Sequence, residues 1–310
     1  MRVKTQKSGR FFDKMSIEDA SDMEEKKVKI IYILGYERSG STILHNLIGQ
    51  TKSYFSVGEL RYIWQRGIDN RPCGCGEAFN DCPFWEDIFD RHNPHQQHIR
   101  ESFFPFALLF SFIPSIKRRI ANHTEYLKTL YTKTYEKSDA AYIVDHSKSV
   151  MHLKLLSSIK NFEVKTIHIV RDPRGIEYSL HKRKLNGHKG YRNHSVYKNL
   201  LKIDLINLMS NRYMKKYSNL THSVRYEDLI RRPGDCLDEL SKHLEVNIDT
   251  SMVDGDEVTL EKTHSVGGSP SRHNTGKIKL RLDDKWKQLL PKRSRWLLES
   301  FSYTYKRWYK

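Results

Sequence analysis

The residues from Gly35 to Thr42 (GYERSGST) have the types and spacing of a loop that binds an anion. They follow the apolar run Val28–Leu34 and precede a helical pattern, so backbone N–H groups and a helix N-terminus would point at one ligand. Nucleotide hydrolases have a lysine at the seventh position of such a loop, where it neutralises a triphosphate. This chain has Ser41 there and a cation, Arg38, earlier in the loop. The pattern predicts an anion site other than a magnesium-bound triphosphate site; an ordinary strand–helix turn capped by serine is the alternative.

A second motif joins an arginine and a serine eight residues apart. The apolar run Val164–Val170 leads into Arg171, and Pro173 suits the first turn of a following helix. Arg171 would then lie at the carboxyl edge of a sheet, where α/β proteins bind ligands, and Ser179 would lie about two helical turns further on. An arginine and a hydroxyl that converge there form a second phosphate site. Arg174 is expected to face solvent.

Two other functions fit parts of the sequence. Asp145 follows the apolar run Ala141–Val144, and an aspartate at a strand end is where a P-loop kinase or other phosphotransferase holds Mg²⁺. Ser41 at the lysine position disfavours this alternative. The net charge of +17, from 54 Lys and Arg against 37 Asp and Glu, favours an anionic partner. Because the basic residues are scattered, with a local excess only at 182–198, nucleic acid is the less favoured partner.

The elements that must position these residues alternate along the chain. Short apolar runs at Val28–Leu34, Ala141–Val144 and Val164–Val170, and a weaker one ending at Val224, predict buried strands. Long helical patterns lie between them, as at 149–159 and 198–217. This alternation predicts an α/β fold with a three-layer, P-loop-type parallel sheet flanked by helices. We expect a flexible tail over residues 1–27 and a single domain over 28–310, with a helical insertion at 86–137. A further helix is predicted over 294–310.

Composition excludes several classes of protein. The 310 residues include 13 Phe, 17 Tyr and 5 Trp but only 16 Gly and 9 Pro, which excludes disordered and collagen-like chains. The most apolar stretch, Phe103–Ile113, is too short to span a bilayer, and the N-terminus lacks the apolar run of a signal peptide. We therefore expect a cytoplasmic protein without a transmembrane segment, although a luminal enzyme stripped of its anchor would read alike.

Three of the four cysteines cluster in the sequence CGCGEAFNDC, as Cys73, Cys75 and Cys82. A zinc site, one local disulfide and free thiols in a glycine-rich loop all fit this spacing. No C-x-x-C pair is present and the sequence does not identify a fourth ligand. No metal ligand is therefore assigned.

The two phosphate motifs together resemble the sulfotransferases that use 3′-phosphoadenosine 5′-phosphosulfate (PAPS), most closely a bacterial-type or carbohydrate-type branch. The family's loop reads [KR]-[ST]-G-[ST]-[ST], and the chain matches it position by position with Arg38, Ser39, Gly40, Ser41 and Thr42. The resemblance implies that this loop holds the 5′-phosphosulfate and that Arg38 stabilises the oxygen that leaves. It also implies that Arg171 and Ser179 bind the 3′-phosphate.

Two further segments match that family. The sequence RYEDL at 225–229 resembles its YED segment, which implies that Tyr226 contacts the adenosine; a packed interior tyrosine is the alternative. The sequence RHNTG at 272–276 resembles the basic-glycine loop that closes over the 3′-phosphate, which implies that role for Arg272. His264 and Ser265 would lie near it or stabilise the loop.

Sulfuryl transfer needs a base for the acceptor proton and cations for the leaving phosphate, and it needs no metal. Glu59 resembles the catalytic glutamate of the tyrosyl-protein and carbohydrate branches, whereas His146 resembles the catalytic histidine of the cytosolic branch. Both stay candidates, with Lys148 as a cation for the sulfuryl group. The resemblance thus implies an EC 2.8.2.- transferase that moves a sulfuryl group from PAPS to a small-molecule or carbohydrate hydroxyl or amine, leaving adenosine 3′,5′-bisphosphate. The acceptor and the oligomeric state are not identified.

Overall fold

The computed structural model describes residues 27–89, 113–185 and 195–310. Its centre is a sheet of five parallel strands in the order β2-β3-β1-β4-β5. The bounds are β1 Val28–Leu34, β2 Tyr54–Gly58, β3 Tyr142–Lys148, β4 Phe162–Val170 and β5 Thr221–Arg225. The predicted parallel sheet is confirmed, and β1 has the predicted bounds. β2 was not predicted, because Ser56 and Gly58 interrupt its apolar residues and leave no continuous apolar run.

Helices cover both faces of this sheet. In chain order they are α1 Ser41–Ile48, α2 Ile63–Ile68, α3 Pro114–Ser138, α4 Val150–Leu156, α5 Pro173–Leu185, α6 Val196–Tyr217, α7 Tyr226–Arg231, α8 Pro233–Leu244, α9 Trp286–Leu289, α10 Lys292–Phe301 and α11 Tyr303–Trp308. Short 3₁₀ helices lie at Leu60–Tyr62, Phe79–Asp81 and Pro270–His273. The helix predicted to begin near Pro173 does so.

The two faces of β1 show why the strands read as continuous apolar runs. Ile31 and Ile33 are buried in a core with residues of α1 and α8. Ile30 and Tyr32 are buried in a second core with residues of α3 and α4. Each strand must therefore be apolar on both sides, which confirms the three-layer architecture.

Two regions differ from the expected organisation. Residues 253–279 form a small antiparallel sheet of β6 Val253–Asp254, β7 Glu257–Leu260 and β8 Gly276–Lys279, which was not predicted. The prediction of a single C-terminal helix was wrong, because the helical backbone is interrupted at Ser302. The Ser302 hydroxyl donates to Asp204 Oδ1 at 2.8 Å and accepts from the Tyr305 amide at 3.2 Å, so it caps α11.

Several expectations lie wholly or partly outside the described residues. These are the tail apart from residue 27, residues 90–112 of the expected insertion, and 186–194 of the basic stretch. The helix α3 belongs to the expected insertion, yet its Leu127, Leu130 and Tyr131 are core residues beneath the sheet. Within the ranges described, no helix has the length and apolar character needed to cross a bilayer.

Candidate active site

The anion loop lies between β1 and α1, at the carboxyl edge of the central strand. Gly40 has a left-handed backbone (φ 89°), and a Cβ atom there would be 2.3 Å from Tyr226 Cδ2. Only glycine therefore fits between the loop and this ring. Helix α1 starts at Ser41 without a side-chain cap, and the buried Ser39 hydroxyl has no hydrogen-bond partner among the described residues. The loop thus presents an uncapped helix N-terminus and a hydroxyl that needs a partner.

The second motif meets this loop directly. Arg38 Nε donates to Ser179 Oγ at 3.0 Å, and Arg171 Nη1 donates to the Arg38 carbonyl at 3.0 Å. The Arg171 guanidinium lies 4.4 Å from the centre of the Tyr226 ring and forms an ion pair of 3.4 Å with Asp283. The structure therefore brings Arg38 of the anion loop together with Arg171 and Ser179 of the second motif. Asp283 was not found from the sequence.

Arg38 and Lys148 share an uncommon backbone conformation. Both have a left-handed φ, 68° at Arg38 and 62° at Lys148. A residue with a Cβ pays for this conformation in strain, and such residues concentrate at functional sites. Two of the predicted catalytic cations are held in this way.

The remaining catalytic candidates form a second group at the ends of β2 and β3. Lys148 Nζ forms an ion pair with Glu59 Oε1. His146 Nε2 lies 3.9 Å from the same Glu59 oxygen and 3.5 Å from Thr42 Oγ1. Thr42 is the last residue of the anion loop. This second group, Glu59, Lys148 and His146, therefore lies beside that end of the loop, and the Arg38–Arg171 contact lies at the other end.

Burial decides the charge of the histidine in this group. The side chain of His146 is fully buried, and this burial, with smaller contributions from His45, Lys148 and Arg272, lowers its pKa well below the usual value. The neighbouring His45 ring is centred 4.3 Å away, and burial lowers its pKa to about 4. Both imidazoles are therefore neutral near pH 7. Glu59 keeps 15% of its side chain exposed, so it is the more accessible of the two base candidates.

A glycine-containing loop, Gly267 to Ser269, covers this group. The Ser269 amide donates to Thr42 Oγ1 at 3.2 Å, and a Cβ at Gly268 would be 3.0 Å from His146 Nε2. A Cβ at Gly267 would be 3.3 Å from that of Glu59. Sequence reasoning missed these contacts; the adjacent glycines were the available signal, since they permit close backbone approach.

Arg272 lies at a different place from the one its motif implied. It is 8% exposed and donates to the Gly268 carbonyl at 3.3 Å and the Pro72 carbonyl at 3.2 Å. The structure therefore places it beside the group of Glu59 and His146, away from the Arg38–Arg171 contact.

Asp145 is turned away from the anion loop. The strand alternates, so Asp145 shares the sheet face of α3, where it accepts hydrogen bonds from Tyr131 and, at 2.5 Å, from the Ser147 amide. Burial raises its pKa to about 6. A buried carboxyl group engaged in this way does not face a nucleotide in the loop, which disfavours the kinase alternative.

The expectation that Arg174 faces solvent was wrong. Its guanidinium pairs with Asp172 at 2.6 Å and Glu299 at 2.5 Å, and it stacks 4.3 Å from the Trp286 ring. Arg174 thus ties the start of α5 to the C-terminal helices, a structural role.

An anion loop after the central strand of a parallel sheet, with cations from neighbouring strand ends, defines a P-loop-type α/β nucleotide-binding protein. Within that class, the model of the sulfotransferase family matches residues 31–250, and the chain belongs to this family. A comparison with curated proteins gave no match.

Solved structures similar to this chain include two sulfotransferase domains and a retinol dehydratase. The sulfotransferase domain from the curacin biosynthetic pathway is 17% identical, with a TM-score of 0.48 over 88% of this chain and 97% of that one. The sulfotransferase domain of the Synechococcus PCC 7002 olefin synthase is 19% identical, with a TM-score of 0.47 over 90% and 96%. Retinol dehydratase in complex with androsterone and the inactive cofactor PAP is 16% identical, with a TM-score of 0.28 over 71% and 60%.

Proposed function

We propose that the protein transfers a sulfuryl group from PAPS to a hydroxyl or amine acceptor by in-line displacement without a catalytic metal. The supporting observation is the arrangement of two groups around one anion loop. Arg38, Arg171 and Ser179 meet at one end of the loop. Glu59, Lys148 and His146 lie at the other. A bisphosphorylated nucleotide and an acceptor need two such adjacent sites.

The residues of the loop fit the proposed donor. The uncapped N-terminus of α1 and the unpartnered Ser39 hydroxyl suit the 5′-phosphosulfate, with Ser41 and Thr42 beside them. Arg171 and Ser179 suit the 3′-phosphate, because a guanidinium and a hydroxyl bind phosphate oxygens. When bound, PAPS supplies the sulfuryl group and a phosphate leaving group that Arg38 and Lys148 would stabilise as negative charge develops.

We assign the base role to Glu59 and a positioning role to His146. Glu59 is partly exposed, so an acceptor hydroxyl or amine can reach its carboxylate, and Lys148 beside it is placed to contact the sulfuryl group. His146 is fully buried beneath Gly268 and lies against Thr42 Oγ1, so its imidazole supports the loop hydroxyl. An acceptor therefore approaches the Glu59 carboxylate.

Positive side chains surround the proposed acceptor side. Arg61 contacts the backbone of Ser147, and Arg66 lies near Gly267, next to Glu59. With the net charge of +17, this favours an anionic carbohydrate as the acceptor. We further propose that residues 28–310 form one sulfotransferase domain and that residues 86–137 select the acceptor.

Calorimetric titration with adenosine 3′,5′-bisphosphate, with Mg-ATP as the comparison ligand, tests the donor site. We expect binding of the bisphosphate that is unaffected by EDTA and far stronger than that of Mg-ATP. Binding of Mg-ATP alone would instead identify a phosphotransferase.

Arg171→Ala tests the 3′-phosphate assignment. It should weaken binding of the bisphosphate by about 10-fold or more, the scale of a lost charged hydrogen bond, with little effect on its 3′-dephospho analogue. Arg232→Ala removes an exposed arginine and is the matched control for charge. Equal weakening of both ligands would place the 3′-phosphate elsewhere.

Arg38→Ala tests the leaving-group assignment. We expect turnover of PAPS to fall by at least 100-fold, the usual effect of removing a group that stabilises transition-state charge, in a protein that still unfolds cooperatively. Near-normal turnover by the folded variant would remove Arg38 from the mechanism.

A further inference from the structure

Three thiols and an imidazole converge at a place that the proposed reaction does not use. The Sγ atoms of Cys73, Cys75 and Cys82 and a ring nitrogen of His264 all lie within 4.8 Å of one another. His264 is 182 residues beyond Cys82, so the spacing of the cysteines did not indicate that the two residues meet. Cys73 and Cys82 are buried, and Cys75 and His264 are partly buried.

The distances within the cluster match a tetrahedral site. Bonds of about 2.3 Å to sulfur and about 2.0 Å to nitrogen place two sulfurs about 3.8 Å apart, and a sulfur and a nitrogen about 3.5 Å apart. The observed separations are 3.6 Å for Cys73–Cys82, 3.8 Å for Cys75–Cys82 and 3.2 Å for Cys82–His264 Nδ1. The cluster thus has the size of one coordination sphere.

The backbone holds the two halves of the cluster together. The Gly74 amide donates to the Ser265 carbonyl at 2.9 Å, and Trp85 Nε1 donates to the His264 carbonyl at 2.6 Å. A Cβ at Gly74 would be 2.3 Å from Ser265 Oγ, so the segments touch only because this residue is glycine. The fold therefore places the four side chains together through contacts of its own.

We propose that Cys73, Cys75, Cys82 and His264 bind one structural Zn²⁺. Three thiolates and one imidazole are a common structural zinc set, and soft sulfur ligands select this metal. A disulfide would join two of the thiols and leave the third cysteine and the histidine without a function. The protein fills all four positions, so the ion has no open site for substrate.

The position of the site gives the ion a consequence for activity. His264 is three residues before Gly267, the start of the loop that covers Glu59 and His146. Zinc would tie this loop to the segment from Cys73 to Trp85 across the molecule. Metal removal should therefore loosen the cover of the candidate acceptor site as well as destabilise the fold.

Metal analysis of the full, untagged chain, purified without chelator, tests the site independently of turnover. We expect one zinc per chain in the wild type and in Cys236→Ser, whose buried thiol lies on α8 at the opposite sheet face. We expect loss of that zinc in Cys82→Ser and His264→Ala. One equivalent retained by both ligand variants, or bound iron in place of zinc, would overturn the assignment.

A second measurement covers the case in which the ligand variants do not fold. Wild-type protein stripped by chelator and given Co²⁺ should show thiolate-to-cobalt charge-transfer bands and the intense visible bands of tetrahedral cobalt. Zn²⁺ should displace these bands and raise the thermal midpoint of the stripped protein. Absence of both spectral features, or a disulfide among these cysteines in protein that is active in PAPS turnover, would refute a zinc site.

Discussion

Replacing Gly40 by alanine perturbs the point where the anion loop and the second motif touch. The new Cβ would be 2.3 Å from Tyr226 Cδ2, whereas carbon atoms pack at about 3.5 Å or more, so the ring must move by about 1.2 Å. That ring lies 4.4 Å from the Arg171 guanidinium, which in turn donates to the Arg38 carbonyl. The substitution should therefore disturb both stability and the proposed nucleotide site.

Two effects set the size of the loss. Alanine in a left-handed conformation costs roughly 1–2 kcal/mol relative to glycine. Overpacking of a buried ring adds about 1–3 kcal/mol. The free energy of unfolding should thus fall by roughly 2–5 kcal/mol for Gly40→Ala.

Gly255→Ala is the matched control. Gly255 also has a left-handed backbone, with φ 62° against 89° at Gly40, but a Cβ there has no described atom within 4 Å. The control shares the backbone strain and the unfolded-state effect of alanine, so the difference between the two variants isolates the clash with Tyr226. Urea unfolding should separate them by about 1–3 kcal/mol.

Calorimetry with adenosine 3′,5′-bisphosphate gives the functional readout. Only Gly40→Ala should weaken binding of the bisphosphate. Its affinity should fall about 10-fold for each 1.4 kcal/mol of steric free energy that displaces the binding residues. In a Tyr226→Ala background, the stability cost of Gly40→Ala should shrink towards that of Gly255→Ala. If Gly40→Ala and Gly255→Ala behave alike in the wild-type background, the contact between the loop and Tyr226 does not constrain the site as described.

The remaining predictions concern the base and the pH dependence. Glu59→Gln should lower kcat by about 100-fold or more with little change in bisphosphate affinity, as expected on loss of a general base. His146→Asn should lower kcat less and leave the acid limb of the pH–rate profile in place; the reverse order would make His146 the base. Burial lowers the pKa of His45, His123 and His168 to about 4 and the pKa of His146 and His152 well below the usual value, so below about pH 6.5 the unfolded chain binds protons that the folded chain does not. Asp145, whose pKa burial raises to about 6, binds its proton first in the folded state and offsets one of these five. Stability should therefore fall as the pH drops from 6.5 towards 4, by up to about 1.4 kcal/mol per pH unit for each histidine that is not offset, and an unchanged urea midpoint between pH 7 and 5 would contradict this.

Much of the fold could be predicted because its local signals agree with its tertiary environment. The run Val28–Leu34 is apolar at nearly every position because both sheet faces are covered, and the strand has those bounds. β2 was not predicted, because only part of its sequence is apolar. Its position at the sheet edge is set by pairing with β3. The interruption of the C-terminal helix at Ser302 was not predicted, because the hydrogen-bond partner of Ser302, Asp204, is 98 residues away.

For the site, the sequence by itself determined the anion loop and the Arg171–Ser179 spacing. Each lies within a single strand–turn–helix unit, where local geometry sets the distance between residues. Only the tertiary structure decided that Glu59, Lys148 and His146 share one face beside Thr42. It also placed Arg272 with them, Asp145 beneath the sheet, and His264 against three cysteines. These contacts depend on the order of the strands in the sheet and on loops that cross the sheet edge. Residue spacing along the chain determines neither of them.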